Sequence, residues 1–203
     1  MHMRLNKFSE KVSKNIKNNE DNLMNKKVVV ISTSIRANSN SEVLAKSFAD
    51  GASYAGNKVE FITLKDKQID FCKGCLVCQQ TGNCVIKDDV TKIMDKVIEA
   101  DIVVWATPIY YYEMSGQMKV LIDRLNPMFS KDYKFRDVYF LATAAEDEEH
   151  VYEKALSGLN GWIDCFDKAE LKGYVFCGGV TMGGEISENV KLKEAYDMGA
   201  ALF

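Results

Sequence analysis

The sequence predicts an α/β architecture, a parallel sheet covered by helices on both faces, and three observations carry that expectation. Short β-branched runs alternate with helical stretches from residue 26 to the end of the chain. At 203 residues, 47% hydrophobic and 27% charged, the chain has the length and composition of one domain with a sizeable core. No repeat or low-complexity block interrupts the alternation. Five strands in this length predict a three-layer sandwich whose sheet runs in the order 2-1-3-4-5. In such a sheet a ligand sits beyond the strand C-termini, where the chain direction reverses between the first and third strands.

Residues 1–25 read as a separate arm, and residues 26–203 as the domain. In the arm, Leu5, Phe8, Val12 and Ile16 fall at helical spacing with lysines elsewhere on the turn, which predicts an amphipathic helix and a polar linker. The first strand is the run Lys27 to Ile31. A helix over Ser39 to Gly56 follows, with Ser39 to Glu42 fitting a capping box. Lys58 to Leu64 is the second strand. A cysteine-rich loop over residues 69–87 leads to a helix capped by Asp88 or Asp89. Ile102 to Ala106 is almost wholly apolar, so it is expected at the centre of the sheet, buried on both faces. Ser115 to Asn126 reads as a helix stopped by Pro127, Val138 to Thr143 as the fourth strand, and Glu148 to Phe166 as a long helix. Leu171 to Val180 is the fifth strand, and Ser187 to Leu202 the last helix.

Charge excludes one class of partner. With a formal net charge of -3 the chain lacks the basic excess that a nucleic-acid surface needs. No apolar run approaches the roughly 20 residues of a membrane span. The N-terminus has no signal-peptide core, so a cytoplasmic location is expected. The two histidines, His2 and His150, sit in no motif and are expected on the surface.

Two strand ends carry chemistry. After the first strand the chain reads Ser32-Thr33-Ser34-Ile35-Arg36-Ala37-Asn38-Ser39-Asn40-Ser41. Hydroxyls, amides and one guanidinium there precede a helix, whose free N–H groups and positive dipole end favour a phosphate. The loop has neither Gly-x-Gly-x-x-Gly nor a Walker lysine, so neither a dinucleotide fingerprint nor an NTPase loop is supported. After the third strand comes Thr107-Pro108-Ile109-Tyr110-Tyr111-Tyr112-Glu113-Met114. Three tyrosines and a methionine in one connection should cover something apolar, and a flat heteroaromatic ring suits them. Phosphate at one strand end and a ring at its neighbour describe a mononucleotide, and FMN fits.

These residues resemble the NADPH-dependent FMN reductases and iron–sulfur flavoproteins of the flavodoxin-like superfamily. The first loop matches through Ser34, Arg36, Asn40 and Ser41, at positions that the resemblance assigns to phosphate contact. The second motif is matched by Pro108, Tyr110, Ser115, Lys119, Asp123 and Arg124. It implies flavin-ring contacts from Thr107, Pro108, Ile109, Tyr110, Tyr111, Tyr112 and Met114, with Lys119, Asp123 and Arg124 structural. A third contact is implied at Thr143 to Glu146. A homodimer or homotetramer follows from the resemblance alone.

Of six cysteines, four crowd together at Cys72, Cys75, Cys78 and Cys84. Such crowding in a chain expected to be cytosolic points to metal or redox chemistry rather than disulfides. It resembles the compact motif that binds a [4Fe–4S] cluster in iron–sulfur flavoproteins; a zinc site and a free thiol loop are the alternatives. Cys165 and Cys177 are expected to be small buried hydrophobes. Together these readings imply an FMN-containing oxidoreductase with NAD(P)H as donor and a small molecule or a protein as acceptor. The alternative is an iron–sulfur electron carrier or redox sensor.

Overall fold

A computed structural model describes residues 25–202. The expected arm over residues 1–25 therefore lies, but for its last residue, outside the described residues. Strand β1 (Lys27–Ser32) pairs in parallel with β2 (Lys58–Thr63) on one side and with β3 (Ile102–Tyr110) on the other. Beyond β3 lie β5 (Asp137–Thr143) and β6 (Glu170–Cys177), also parallel, so the sheet runs β2-β1-β3-β5-β6. A two-residue strand, β4 (Glu113–Met114), folds back antiparallel on the end of β3. Counting the parallel strands alone, the order is the expected 2-1-3-4-5.

Strand periodicity sorts the core into two layers. Val28, Val30, Ile102 and Val104 face α1 (Asn40–Tyr54) and α6 (Val190–Ala200), packing on Leu44, Phe48 and Ala195. Val29, Ile31, Val103 and Trp105 face the opposite way. They meet Ile93 and Val97 of α3 (Val90–Glu99), Leu121 of α4 (Gly116–Arg124), and Leu159 and Trp162 of α5 (Glu153–Ile163). Ile102 to Ala106 are all fully buried, as expected of a central strand. Removing each large side chain from water contributes about 2–3 kcal/mol. Trp105 adds an edge-to-face contact with Trp162 at 5.5 Å.

Helices α1 and α6 cross at two glycines. A Cβ on Gly51 would stand 2.0 Å from the Tyr196 oxygen, and one on Gly199 would stand 2.1 Å from the Phe48 oxygen. Only bare backbone lets the axes come this close.

Several boundaries differ from the sequence reading. The long helix expected from Glu148 begins as a 3₁₀ turn, Glu149–Tyr152, before α5. Pro127 does not end the preceding segment; α4 stops at Arg124 and Pro127 opens a 3₁₀ turn, Asn126–Ser130, where its missing N–H is harmless. The capping box is half formed. Ser39 caps α1 by accepting from the Glu42 N–H, but the Glu42 carboxylate pairs with Lys46 and Lys65 instead of reaching back. Cys177 is buried as expected, whereas Cys165 is exposed. Its neighbours Trp162 and Ile163 face the core, and the Cys165 thiol donates to the Gly161 carbonyl on the outer surface.

Candidate functional site

The site lies beyond the C-termini of β1, β3, β5 and β6. Thr33 leaves β1 and is tied to β3 twice, its backbone N–H and its hydroxyl both donating to the Ala106 carbonyl at 2.9 Å. Its Oγ1 also meets the Ser115 hydroxyl at 3.1 Å, and the Ser115 N–H donates to Thr107 Oγ1 at 3.0 Å. Ser115 in turn caps α4. Fully buried Thr33, Thr107 and Ser115 thus lock the two loops of the site in register.

Ser34 is buried, and its hydroxyl accepts from the Arg36 N–H at 3.3 Å. Arg36 is exposed and donates from Nη1 to the Thr181 carbonyl at 2.6 Å, leaving most of its planar fork of donors for a ligand. Asn40 has a role that the sequence did not signal. Its Nδ2 donates to the carbonyls of Val180 and Met182, and its Oδ1 accepts from the N–H groups of Gly184 and Ile186. One amide therefore holds the connection after β6 against the loop after β1. The approach is close, since a Cβ on Gly183 would lie 2.9 Å from the Asn38 carbonyl oxygen.

The tyrosine segment is a hairpin rather than an open loop. Strand β3 continues through Pro108 to Tyr110, and Tyr110 pairs with Glu113 across a two-residue turn. Tyr111 and Tyr112 make that turn with φ of 52° and 67°. Both lie in the left-handed region, which matches the strand twist but is costly for a side-chain-bearing residue. Tyr112 is held from several sides. Its hydroxyl donates to Glu146 at 2.9 Å, the His150 ring stacks on it at 5.7 Å, and the Lys154 ammonium lies over it. The Glu146 carboxylate raises the Tyr112 pKa above that of a free phenol, by accepting its proton in a hydrogen bond and by its charge.

Two cavities meet along these loops. One, of about 240 Å³, is walled by Ser34, Arg36, Ser39, Asn40, Pro108, Tyr110 and Thr143. The other, of about 230 Å³, is walled by Tyr111, Tyr112, Glu146 and Val151. Ile109, Ala144 and Ala145 line both, so the two form one trough. The polar donors lie at one end and aromatic and apolar walls at the other, which fits a phosphorylated ring such as FMN. Four expected contacts are absent from its walls. Asn38 is exposed with φ of 51°, the Ser41 hydroxyl is buried against Ser39, Thr107 is buried as a loop tie, and Met114 packs into the core. Conversely, Val151, Val180 and Thr181 line the trough without having stood out in the sequence, while Ala145 lies in the expected third contact and Ser39 in the expected phosphate loop.

The cysteine segment forms a second candidate site. Cys72, Cys75, Cys78 and Cys84 all line one small cavity of about 30 Å³. Leu76 and Gly74 turn the chain with positive φ, and α2 (Val77–Thr81) carries Cys78 inward, where Asn126 Nδ2 donates to its sulfur at 3.1 Å. The Gly74 N–H points to the Cys72 sulfur at 3.5 Å. Four thiols round one cavity suit a Cys₄ centre in kind and number. Among the described residues, however, no three Cys, His, Asp or Glu side chains are grouped to hold a metal ion.

Comparison with known proteins agrees with this geometry. A family model described as NADPH-dependent FMN reductase matches residues 26–168. An iron–sulfur flavoprotein of Methanocaldococcus jannaschii is 38% identical over 102 residues, covering 50% of this chain and 53% of that protein. The chain spans about half or less of the length of the first curated relatives it matches. An NAD(P)H:quinone oxidoreductase from Methanothermobacter marburgensis superposes with a TM-score of 0.67 at 16% identity, over 88% of this chain and 100% of that one. An FMN-dependent NADH-azoreductase from Bacillus anthracis str. Ames Ancestor, solved in complex with FMN, gives 0.61 at 16% identity over 87% and 99%. At such identities the two structures speak for the flavodoxin-like fold alone. The family match is of another kind, since it runs through both strand-end loops and the hairpin that build the trough: the chain belongs to the NADPH-dependent FMN reductase family.

Proposed function

We propose that the protein is an FMN-dependent NAD(P)H oxidoreductase that hands electrons to a flavin, a quinone or another small acceptor. The observation that carries this is the single trough joining a donor-rich loop to a tyrosine hairpin through Ile109, Ala144 and Ala145. Bound FMN would supply the redox chemistry, accepting a hydride and releasing it or its electrons. The chain's own residues bind and orient. Ser34, Ser39 and Arg36 hold the phosphate at the start of α1, where the helix dipole adds to their donors. Pro108, the tyrosine hairpin and the Ala144–Ala145 connection would hold the ring. Glu146 fixes Tyr112 as a protonated wall. No side-chain nucleophile is required.

The test is anaerobic. The purified protein should take up one FMN, and the flavin should bleach on mixing with NADH or NADPH. Protein that stays colourless with excess FMN refutes the reading. Tyr111, Phe71 and Ile35 are large, apolar and exposed at 98%, 77% and 57%, and Ile35 and Phe71 share a further cavity of about 590 Å³, which supports a homodimer or homotetramer that covers them. Light scattering of the purified chain tests that assembly.

A second reading has its own support. Four cysteines round one cavity favour an iron–sulfur centre, making the chain an electron carrier or sensor for a protein partner. Cys72, Cys75, Cys78 and Cys84 would hold the cluster, which supplies single-electron transfer. Iron and sulfide analysis after anaerobic reconstitution decides it, and bleaching by a partner protein but not by nicotinamides separates carrier from enzyme.

A further inference from the structure

The connection after β6 closes the donor-rich end of the trough, and it lies beyond residues 26–168, the stretch that carries the family match. It reads Thr181-Met182-Gly183-Gly184-Glu185. Arg36 docks on it, donating from Nη1 to the Thr181 carbonyl at 2.6 Å. Asn40 holds it through the Met182 carbonyl and the Gly184 N–H, both at 2.9 Å. Glu185 fixes the connection upon itself. One carboxylate oxygen, Oε2, accepts from the Thr181 N–H at 2.6 Å and from the Met182 N–H at 2.8 Å. The side chain reaches back because Gly184 turns the chain with φ of 90°, a conformation strained for any residue with a side chain. The Glu185 N–H then donates to the Met182 carbonyl at 3.3 Å and closes the turn.

Two features set this carboxylate apart. Exposed acids elsewhere pair with lysines, as Glu194 does with Lys191 and Asp123 with Lys119. Among the described residues no lysine or arginine pairs with Glu185, and its charge is turned on two backbone donors, the stronger kind of hydrogen bond. A negative charge near a phosphate site also opposes the ligand, so its presence there calls for a gain elsewhere. The gain is order in Arg36. A free arginine side chain samples many rotamers, and fixing them when the ligand arrives weakens binding. Thr181 is the residue whose N–H meets Glu185 and whose carbonyl receives Arg36, so the carboxylate holds the dock on which the guanidinium rests.

We propose that Glu185 is a positioning residue for the phosphate end of the trough: it holds the backbone at Thr181 and Met182 so that Arg36 is placed before the ligand binds, and the site thereby favours a phosphorylated flavin over the same ring without phosphate. The inference rests on the FMN reading of the trough. Glu185 lines neither cavity and acts through Thr181 and Arg36.

The test measures dissociation constants of FMN and riboflavin, by quenching of flavin fluorescence, for the full chain and its variants. Riboflavin carries the same ring and no phosphate. Glu185→Ala should weaken FMN by about 3- to 10-fold, the effect of leaving one rotamer-rich side chain to be ordered on binding, and leave riboflavin unchanged. Glu185→Gln keeps an oxygen that accepts from both N–H groups and should stay within about twofold of wild type. Glu185→Asp keeps the charge but falls short of the two donors, and should behave as Glu185→Ala. Glu188→Ala, which removes an equal charge from the same 3₁₀ turn, Glu185–Glu188, is the control and should bind as wild type. With Arg36→Ala already in place, adding Glu185→Ala should weaken FMN no further, because the two act as one unit. Equal weakening of FMN and riboflavin makes Glu185 a support of the fold, and the proposal falls. It falls too if FMN binds Glu185→Ala as tightly as wild type or tighter, if Glu185→Gln is as weak as Glu185→Ala, or if the effects of Arg36→Ala and Glu185→Ala simply add. If wild type binds neither flavin, the cofactor reading fails and the proposal with it. Should Glu185→Ala fail to fold, Glu185→Asp carries the decision.

Discussion

The glycine crossing of α1 and α6 gives the sharpest prediction. Replacing Gly199 by alanine puts a methyl 2.1 Å from the Phe48 oxygen and 2.8 Å from the Ala52 nitrogen, where ordinary contact begins at 3.4 Å. Both obstacles are helix backbone, so no rotamer change relieves the clash and α1 and α6 must part. Overpacking of this kind costs about 1–3 kcal/mol, and the upper end applies where backbone must move. Alanine returns about 1 kcal/mol through its helix preference. The net loss is about 2 kcal/mol, which in a chain of this size lowers Tm by about 4–8 °C. Thermal melting followed by far-UV circular dichroism measures it. Gly161→Ala is the control: Gly161 is exposed in α5, and a methyl added there would meet nothing within 4 Å, so this variant should melt at or slightly above wild type. Gly199→Ala melting level with Gly161→Ala would falsify the packing argument. Because α1 begins at the phosphate loop, Gly199→Ala should also bind FMN more weakly than Gly161→Ala does.

Three other outcomes are expected. Arg36→Ala should weaken FMN binding by roughly 10- to 100-fold, the loss of one or more charge-assisted hydrogen bonds at about 1.5–3 kcal/mol each, read by quenching of flavin fluorescence; a change under about threefold removes Arg36 from the phosphate site. Asp88→Asn should destabilise the fold at neutral pH by about 3–5 kcal/mol by stranding buried Arg124. Burial pushes the Asp88 carboxyl up, but bonds from Arg124 and from the Asp70 and Val90 N–H groups hold it below the usual carboxylate range. Its contribution is therefore present above the unfolded value of about 3.9 and is lost as pH falls through the lower folded value, so the gap between wild type and variant should shrink below about pH 4 in acid unfolding. Finally, Cys165→Ser should remove one fast-reacting thiol from a titration with an aromatic disulfide, whereas Cys177→Ser should leave the fast phase intact because Cys177 is buried.

Local pattern carries much of this molecule. The run Ile102 to Ala106 has no polar residue, and a strand buried on both faces is what that composition demands. Polar residues after β1 and tyrosines after β3 mark the trough because parallel strands bring their C-terminal ends together. Long-range pairing leaves weaker traces. Asn40 has the look of a ligand residue, yet its amide bonds backbone about 140 residues away, which no local spacing encodes. The hairpin at Tyr111 and Tyr112 is hidden because turns with positive φ normally announce themselves by Gly or Asn. Glu42 has the spacing to close a capping box, but Lys65 after β2 competes for its carboxylate and wins. Cys165 escapes the burial that its apolar neighbours suggest, because the turn of the chain carries it to the far side.

The cysteine segment is fastened at its two ends and, through Asn126 and Cys78, once in its middle. Gln68 and Asp89 exchange hydrogen bonds at 2.9 and 3.1 Å, and one pace further along the Asp70 N–H meets the Asp88 carboxylate at 3.0 Å. The stretch leaves and re-enters the domain through one narrow neck, and none of its residues walls the flavin trough. An insertion tied off in this manner can be exchanged, lengthened or trimmed to a short turn while the sheet and the trough keep their shape. A change confined to this single stretch of chain would leave the residues that wall the trough as they are.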